Sequence, residues 1–106
     1  MSVPEIDVAA LADRPEGGVL IDVREVGEYE EGHVAGAVLV PLSELQDRVA
    51  EVPADGIVYL ICKSGGRSAR AAEFLIPLGV DAVNVVGGTM AWIDSGRPVV
   101  AGGEPG

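Results

Sequence analysis

The sequence predicts an α/β domain in which helices cover both faces of a central parallel sheet of four or five strands. Short apolar runs rich in β-branched residues alternate along the chain with segments whose apolar residues recur at helical spacing, an order typical of right-handed βαβ units. The most apolar run, Ile57 to Cys62, is predicted to be the central strand, because a strand covered on both faces carries few polar residues. The 106 residues suit one domain, which we assign to residues 1–100. Residues 101–106, rich in glycine and proline, are expected to form a flexible tail.

Five segments are candidates for the strands: Val3 to Ile6, Val19 to Val23, Ala37 to Val40, Ile57 to Cys62 and Ala82 to Val86. Pro4 is expected to keep the first of them at an edge of the sheet. The third, from Ala37 to Val40, is predicted to be buried, and Asn84 weakens the last. A turn is predicted at Glu16-Gly17-Gly18, before the second strand.

The helices between these strands are short and carry start and stop signals. Side chains able to cap a helix start are Asp7, Ser43, Ser68 and Thr89. Ser43 and Gln46 have the spacing of a capping box. They predict a helix whose inward side carries Leu42, Leu45 and Val49. Residues expected to end or disturb helices are Gly32, Pro77, Gly79 and Gly96.

Composition and charge exclude several classes of function. The chain has 17 acidic and 7 basic residues, a formal charge of −10, which argues against binding to nucleic acid or to an anionic membrane surface. No apolar run is long enough to cross a bilayer, and the N-terminus lacks the pattern of a secretory signal. Cys62 is the single cysteine and His33 the single histidine, so an internal disulfide is excluded and a Cys/His metal site is implausible. We therefore expect a cytoplasmic protein that uses no metal and no other cofactor.

The stretch that begins at Cys62 has the features of an anion-binding site. Cys62 lies where the central strand ends and a loop containing Gly65 and Gly66 begins. Glycine lets successive backbone N–H groups converge on one point, and the helix start that follows adds positive potential there. The basic residues of the stretch are Lys63, Arg67 and Arg70, three of the seven in the chain. A thiol in such surroundings is stabilised as the thiolate, the form in which cysteine is a nucleophile near neutral pH.

Each of these residues also has a purely structural explanation. Free cysteine often serves as a small buried hydrophobe, but the glycines, the cations and the helix start together favour a reactive thiolate at Cys62. A cation such as Arg67 is unfavourable beside a helix N-terminus unless an anion lies there too, so we assign Arg67 to anion binding. Surface exposure, or a turn or cap role, accounts almost as well for Lys63, Ser64, Ser68 and Arg70.

Four other residues that attract attention are assigned to the structure. Asp22 and Arg24 are expected to form a buried or half-buried ion pair near the site. His33 comes just before a strand, so we expect it at the amino edge of the sheet, away from Cys62, and not as the base of a Cys–His dyad. Trp92 is expected in the core.

Several segments of the chain resemble single-domain rhodaneses. They are I-D-V-R (Ile21 to Arg24), E-Y-E-E-G-H-V-A-G-A (Glu28 to Ala37), V-P-L-S-E-L (Val40 to Leu45), Y-L-I-C-K-S-G-G-R-S (Tyr59 to Ser68) and V-V-G-G-T-M-A-W (Val85 to Trp92). They follow the order of that family over nearly the whole chain. The resemblance implies the rhodanese-like α/β fold and a sulfurtransferase that moves sulfane sulfur from thiosulfate or a persulfide donor to cyanide or a thiol. The implied catalytic residue is Cys62, which carries the sulfur as a persulfide.

The same resemblance implies which residues bind the substrate: Lys63, Ser64, Gly65, Gly66, Arg67 and Ser68. The partners it implies are a small anionic sulfur donor, a thiol or cyanide acceptor, and a sulfur-relay protein. Two alternatives stay open, namely a sulfur-carrier or partner-binding module with little turnover of its own, and a phosphatase or arsenate reductase. Cysteine-based phosphatases have a longer loop than the four residues between Cys62 and Arg67. A smaller ring of N–H groups suits one outer sulfur atom better than a phosphoryl group, so sulfur transfer is favoured.

Overall fold

The computed structural model describes residues 2–14 and 18–106, and in this part of the chain it confirms the predicted α/β class. The strands are β1 (Glu5–Ile6), β2 (Val19–Asp22), β3 (Val38–Leu39), β4 (Ile57–Ile61) and β5 (Asp81–Val85). They form one parallel sheet in the order β1-β5-β4-β2-β3. β4 is therefore central, as its apolar sequence predicts, and β1 is at an edge. The turn predicted at residues 16–18 falls largely outside the described residues.

Helices cover both faces of this sheet. They are α1 (Val8–Ala12), α2 (Val26–Glu31), α3 (Gly66–Leu75) and α4 (Gly88–Asp94). α1 begins as predicted, with the Asp7 carboxylate accepting the backbone N–H of Ala10 at 2.9 Å. After α3 the chain makes a 3₁₀ turn at Ile76–Leu78 that contains Pro77 and ends at Gly79, as the sequence predicts. None of the helices in the described part of the chain has the length and apolar character needed to cross a membrane.

The prediction of a helix from the capping-box spacing of Ser43 and Gln46 is wrong. The segment forms two 3₁₀ turns instead, Leu42–Glu44 and Val49–Glu51, and the first has no side-chain cap. Leu42 and Leu45 are three residues apart, a spacing that fits 3₁₀ geometry as well as an α-helix. The apolar pattern of this segment therefore does not distinguish the two kinds of helix.

The alternation of side chains along β4 builds a hydrophobic core on each face of the sheet. Val58, Leu60 and Cys62 lie in the core on the α3 side, with Ala71, Ala72 and Leu75. Tyr59 and Ile61 lie in the opposite core, with Val8 and Leu11 of α1, Tyr29 of α2 and Trp92 of α4. Trp92 is thus a core residue, as predicted. Because α3 packs directly on the central strand, its first turn lies next to Cys62.

The third strand lies at the edge of the sheet, and the prediction that it is buried is only partly right. β3 pairs with β2 alone in the sheet order, and Val38 is 43% exposed. The flanking residues Ala37 and Val40 are buried. They account for the apolar run without a second neighbouring strand.

The predicted ion pair of Asp22 and Arg24 is buried at the carboxyl end of β2. The Arg24 guanidinium donates to the Asp22 carboxylate at 2.8 Å and to the Gly32 carbonyl at 2.8 Å. The side chains of Arg24 and Asp22 are 7% and 0% exposed, respectively. The pair therefore joins the end of β2 to the end of α2, and this helix carries an acidic residue of the site described below.

The chain after Val100 lies against the end of α2 and the segment that follows this helix. The Gly102 N–H donates to the Glu30 carbonyl at 2.9 Å, and the Pro105 carbonyl accepts the Gly36 N–H at 2.8 Å. Hydrogen bonds therefore join the tail to this part of the fold, and the flexibility of residues 101–106 stays a prediction.

Candidate active site

Cys62 follows β4 directly, at the carboxyl edge of the sheet, and is 1% exposed. Its Sγ atom accepts the backbone N–H of Gly65 at 3.1 Å and lies 3.3 Å from the Oγ atom of Ser68. We call residues 62–68 the cysteine loop. The strand places the sulfur at the edge of the sheet, and the loop folds back over the sulfur before α3 begins.

The cysteine loop favours ionisation of the Cys62 thiol. Burial by itself raises the pKa of a thiol, because it removes water from the charged form. The Ser68 hydroxyl and the backbone N–H groups of Ser68, Gly65 and Ser64 outweigh that effect, so the pKa of Cys62 is lowered from its ordinary value. Hydrogen-bond donors converging on a sulfur stabilise the thiolate, and the residue therefore has the electrostatic surroundings of a nucleophile.

Gly65 sets where α3 begins. Its φ of +110° lies in the left-handed region, which glycine adopts at little cost and other residues do not. Gly65 is consequently the residue before the helix, and α3 starts at Gly66. The cap role predicted for Ser68 is wrong, because Ser68 lies inside the first turn of α3. Its hydroxyl is instead directed to Cys62 and Asn84.

The start of α4 holds the carbonyl side of the cysteine loop. Thr89 donates to the Cys62 carbonyl from its backbone N–H at 2.9 Å and from its hydroxyl at 3.0 Å, and the Met90 N–H donates to the Lys63 carbonyl at 3.0 Å. A Cβ atom on Gly88 would lie 2.5 Å from the Cys62 carbonyl oxygen. Thr89 is therefore not the helix cap that the sequence predicts, and Gly87 precedes the helix instead. With the carbonyls held by α4, N–H groups of the loop face the sulfur.

Arg67 is paired with Glu28, a residue of α2. The guanidinium donates to both carboxylate oxygens of Glu28, at 2.7 and 2.9 Å. The hydrogen bond from Arg67 is the main reason that the pKa of Glu28 is lowered from 4.5 to about 2. Glu28 also raises the pKa of Arg67, and the charge of Cys62 adds to this to a smaller extent. The guanidinium thus lies within electrostatic reach of the sulfur, while Glu28 offsets much of its positive charge.

A second buried side chain reaches the sulfur through Ser68. The Oδ1 atom of Asn84, on β5, lies 2.5 Å from the Ser68 hydroxyl. The Nδ2 atom of Asn84 donates to a carboxylate oxygen of Glu5 and to the Gly65 carbonyl, each at 3.2 Å. Ser68 and Asn84 are 0% and 2% exposed. A continuous set of hydrogen bonds therefore connects β1, β5, α3 and Cys62.

The remaining predicted loop residues lie at the surface. Lys63, Ser64 and Gly66 are exposed, and so is Arg70. A groove of about 240 Å³ opens beside the loop, lined by Arg24, Glu28, Glu31, Lys63, Thr89, Met90 and Ile93. Its walls come from α2 and α4, and it offers a substrate an approach to the cysteine loop.

His33 takes no part in the hydrogen bonds around Cys62, in agreement with the structural role predicted for it. It is fully buried, and its two ring nitrogens lie 2.8 Å from the carbonyl oxygens of Tyr29 and Glu104. The ring also stacks on Tyr29, with 3.6 Å between the ring centroids. Among residues 2–14 and 18–106, no group of three or more His, Cys, Asp or Glu side chains is arranged to hold a metal ion.

Four residues outside the predicted site also shape it. They are Glu28, Asn84, Gly88 and Thr89. Glu28, Gly88 and Thr89 occur in the segments that resemble rhodaneses, so a signal for them was present. Asn84 carries a different signal, a polar side chain in an otherwise apolar strand, and such a residue needs a hydrogen-bond partner when it is buried.

Comparison with known proteins identifies the type of domain. The family described as Rhodanese-like domain matches residues 7–95, a range that includes the whole cysteine loop. A sulfurtransferase of Allochromatium vinosum is 36% identical over 103 residues, which cover 93% of this chain and 96% of that protein. The Bacillus subtilis protein YrkF, provisionally named a sulfur carrier protein, is 40% identical over 95 residues, or 86% of this chain. The match spans about half of YrkF, 51% of its length.

Solved structures give the same result for the fold. The crystal structure of a rhodanese-related protein from Thermoplasma volcanium superposes with a TM-score of 0.87 at 38% identity, covering 92% of this chain and 97% of that one. A rhodanese-like domain protein from Staphylococcus aureus superposes with a TM-score of 0.85 at 31% identity, over 93% and 98% of the two chains.

Proposed function

The chain belongs to the rhodanese-like family, and we propose that it transfers sulfane sulfur by carrying it as a persulfide on Cys62. One observation above all supports this: a buried cysteine with a lowered pKa, whose Sγ accepts the Gly65 N–H at 3.1 Å at the start of α3. Relatives named as a sulfurtransferase and as a sulfur carrier support it too. The donor is thiosulfate or a persulfide, and the acceptor is a thiol, cyanide or a sulfur-relay protein in the cytoplasm.

In the loading step the Cys62 thiolate attacks the outer sulfur of the donor. A bond forms between Sγ and that sulfur while the sulfur–sulfur bond of the donor breaks. Its electron pair leaves with sulfite when the donor is thiosulfate, and with a thiolate when the donor is a persulfide. The loop N–H groups and the start of α3 face the negative charge in both states, which is the role that an oxyanion hole has in acyl transfer.

In the transfer step a nucleophilic acceptor attacks the outer sulfur. The bond between Sγ and that sulfur breaks, and its electron pair returns to Sγ as the thiolate. The groove between α2 and α4, beside Lys63, is the route by which we expect the acceptor to approach. Two successive displacements on one residue give ping-pong kinetics.

A sulfur-carrier role with little turnover of its own is the second candidate. It is favoured by the ion pair of Arg67 with Glu28, because a carboxylate beside the guanidinium disfavours binding of a dianion such as thiosulfate. A phosphatase or arsenate reductase has less support, since only four residues separate Cys62 from Arg67. Slow turnover with thiosulfate but fast exchange with one persulfide-bearing protein would identify the carrier.

Incubation with thiosulfate followed by intact-mass measurement tests the proposal. We expect the mass to rise by one sulfur atom and to return to its starting value after treatment with cyanide or dithiothreitol. Cys62→Ser is the control and is expected to gain no sulfur. An adduct that persists in this variant would mean that the sulfur is bound elsewhere, and the proposed mechanism would be wrong.

A further inference from the structure

The orientation of the buried Asn84 amide follows from its neighbours. The Glu5 carboxylate and the Gly65 carbonyl, each 3.2 Å from Nδ2, can only accept hydrogen bonds, so the NH₂ group of Asn84 has to face them. The Oδ1 atom of Asn84 therefore faces Ser68, at 2.5 Å. An amide oxygen can only accept as well, so the Ser68 hydroxyl must be the donor.

The Ser68 hydroxyl has one proton, and two acceptors lie beside it when Cys62 is ionised. If the proton points to Asn84, the thiolate 3.3 Å away loses a hydrogen bond. If it points to the thiolate, Oδ1 of Asn84 is left without a donor at a position that is 2% exposed. Either arrangement costs one buried hydrogen bond: the thiolate is left with the backbone N–H groups of the loop alone, or Oδ1 of Asn84 loses its donor.

This competition is absent when the sulfur is uncharged. A thiol at Cys62 can donate its own proton to the Ser68 oxygen, and the inner sulfur of a persulfide is a weak acceptor. In both states the Ser68 hydroxyl can continue to donate its hydrogen bond to Oδ1 of Asn84. Asn84 therefore competes with the Cys62 sulfur for the Ser68 hydroxyl only in the thiolate state, and not in the thiol or the persulfide state.

We propose that Asn84 is a positioning residue for sulfur transfer, which holds the Ser68 hydroxyl while the Cys62 sulfur is neutral and releases it to the sulfur when the thiolate forms. The persulfide part of this proposal rests on the proposed function. As an acceptor breaks the bond between Sγ and the outer sulfur, the electron pair moves to Sγ and the hydroxyl turns from Asn84 to the sulfur. Asn84 disfavours the thiolate relative to the loaded state, and thereby prolongs the life of the persulfide.

The charged groups near this set of hydrogen bonds lie on several elements. They are Glu5 on β1, Arg67 on α3 with its partner Glu28 on α2, the Asp22–Arg24 pair after β2, and the exposed Lys63 in the loop. Glu5 is the one in hydrogen-bond contact with Asn84. A comparison of variants at positions 68 and 84 leaves all of these groups in place.

The test is the pH at which iodoacetamide alkylates Cys62 at half its maximal rate, measured in four proteins. Ser68→Ala removes a donor to the thiolate, so the midpoint should rise by about one unit. Asn84→Ala removes the competing acceptor, so the midpoint should fall, by up to about one unit. Because Asn84 acts through Ser68, the double variant should have the midpoint of Ser68→Ala. Alkylation needs no sulfur donor, so this result is independent of the proposed function.

The double variant separates positioning from a general disturbance of the loop. A shift caused by Asn84→Ala that persists in the Ser68→Ala background, or a midpoint that stays or rises in Asn84→Ala alone, would overturn the proposal. Asn84→Asp keeps an acceptor for Ser68, so its midpoint should be no lower than that of the parent. If Asn84→Ala does not fold, Asn84→Val removes the acceptor with a residue that strands favour.

In the protein loaded with sulfur, Asn84→Ala, or Asn84→Val in its place, should speed the loss of sulfur to dithiothreitol. An unchanged rate would refute the effect of Asn84 on the persulfide.

Discussion

At the scale of single residues, the charge beside Cys62 depends on Glu28 as much as on Arg67. The side chains of Arg67 and Glu28 are 36% and 34% exposed, so solvent and salt weaken the pair. An anionic donor can therefore compete with Glu28 for the guanidinium. The positive charge available for the donor is then set by how firmly Glu28 holds Arg67.

Variants at the two positions should shift the pKa of the Cys62 thiol in opposite directions. Glu28→Gln removes the negative charge and keeps the shape, so we expect a lower alkylation midpoint and several-fold faster loading from thiosulfate. Arg67→Ala should leave the fold intact, raise the midpoint toward the free-thiol value of about 8.5 and slow loading. Each shift should be below about one unit, because both side chains are partly exposed. Iodoacetamide alkylation across pH and intact mass measure the two effects.

The double variant Glu28→Gln/Arg67→Ala is the matched control, and its midpoint should lie between those of the single variants. If instead all midpoints equal that of the parent and Arg67→Ala loads sulfur at the parent's rate, the loop N–H groups and α3 suffice by themselves. Arg67 would then have no role in anion binding.

At the scale of elements, the first residues of α4 determine the shape of the cysteine loop. Thr89 and Met90 bind the carbonyls of Cys62 and Lys63, and this contact requires the two chain segments to pass very close to each other. Gly88, with φ of +59°, leaves no room for a Cβ atom at that point. The same hydrogen bonds turn the loop N–H groups toward the sulfur, so packing and reactivity depend on one contact.

Gly88→Ala adds only one methyl group, but it should disturb the site strongly. We expect the free energy of unfolding to fall by about 1–3 kcal/mol, because the φ value is unfavourable for alanine and the backbones must move apart. Loading from thiosulfate should slow by roughly tenfold to a hundredfold as the loop N–H groups move from the sulfur. Urea denaturation and intact mass measure these effects.

Gly56→Ala is a suitable control for this substitution. Gly56 also has a positive φ, of +79°, but among the residues that the structure describes, no atom beyond its chain neighbours lies within 4 Å of the position of its Cβ. It should show a smaller loss of stability and unchanged loading. Normal loading in Gly88→Ala would contradict the role assigned to the start of α4.

At the scale of the whole molecule, the site lies in a protein with a formal charge of −10. Such a protein repels anions over distances comparable to the Debye length, about 10 Å at 0.1 M salt. The nearest cations do not fully reverse this, because Arg24 is paired with Asp22 and Arg67 with Glu28. A dianionic donor has to approach against this field.

Loading from thiosulfate should consequently become faster as salt is raised from low concentration to about 0.15 M, because screening weakens the repulsion. Alkylation of Cys62 by iodoacetamide, which is neutral, should change little over the same range once it is corrected for the thiolate fraction. A loading rate that falls with salt would mean that Lys63 and the other local cations dominate the approach of the donor.

Much of the fold, and the position of Cys62 in a loop at the edge of the sheet, followed from local patterns in the sequence. Apolar periodicity and turn residues predict the strands and most helices, since these elements depend on neighbouring residues along the chain. The central position of β4 followed from its apolar character, and family membership followed from motifs that the comparisons confirm. The predictions for Ser68 and Thr89 failed because each hydroxyl has a better partner elsewhere in the fold than the helix start beside it.

Local sequence patterns were thus enough to predict the α/β class, the central strand and the loop that holds Cys62. Which side chains contact that loop depends on how distant segments pack together. Arg67 meets Glu28 from 39 positions away, Thr89 meets Cys62 from 27, and Asn84 meets Glu5 from 79. These contacts depend on the order of strands in the sheet and on how α2 and α4 pack against it. The physical reason is that hydrogen bonds between distant segments form only after hydrophobic burial has brought those segments together, and no local pattern encodes which donor will meet which acceptor.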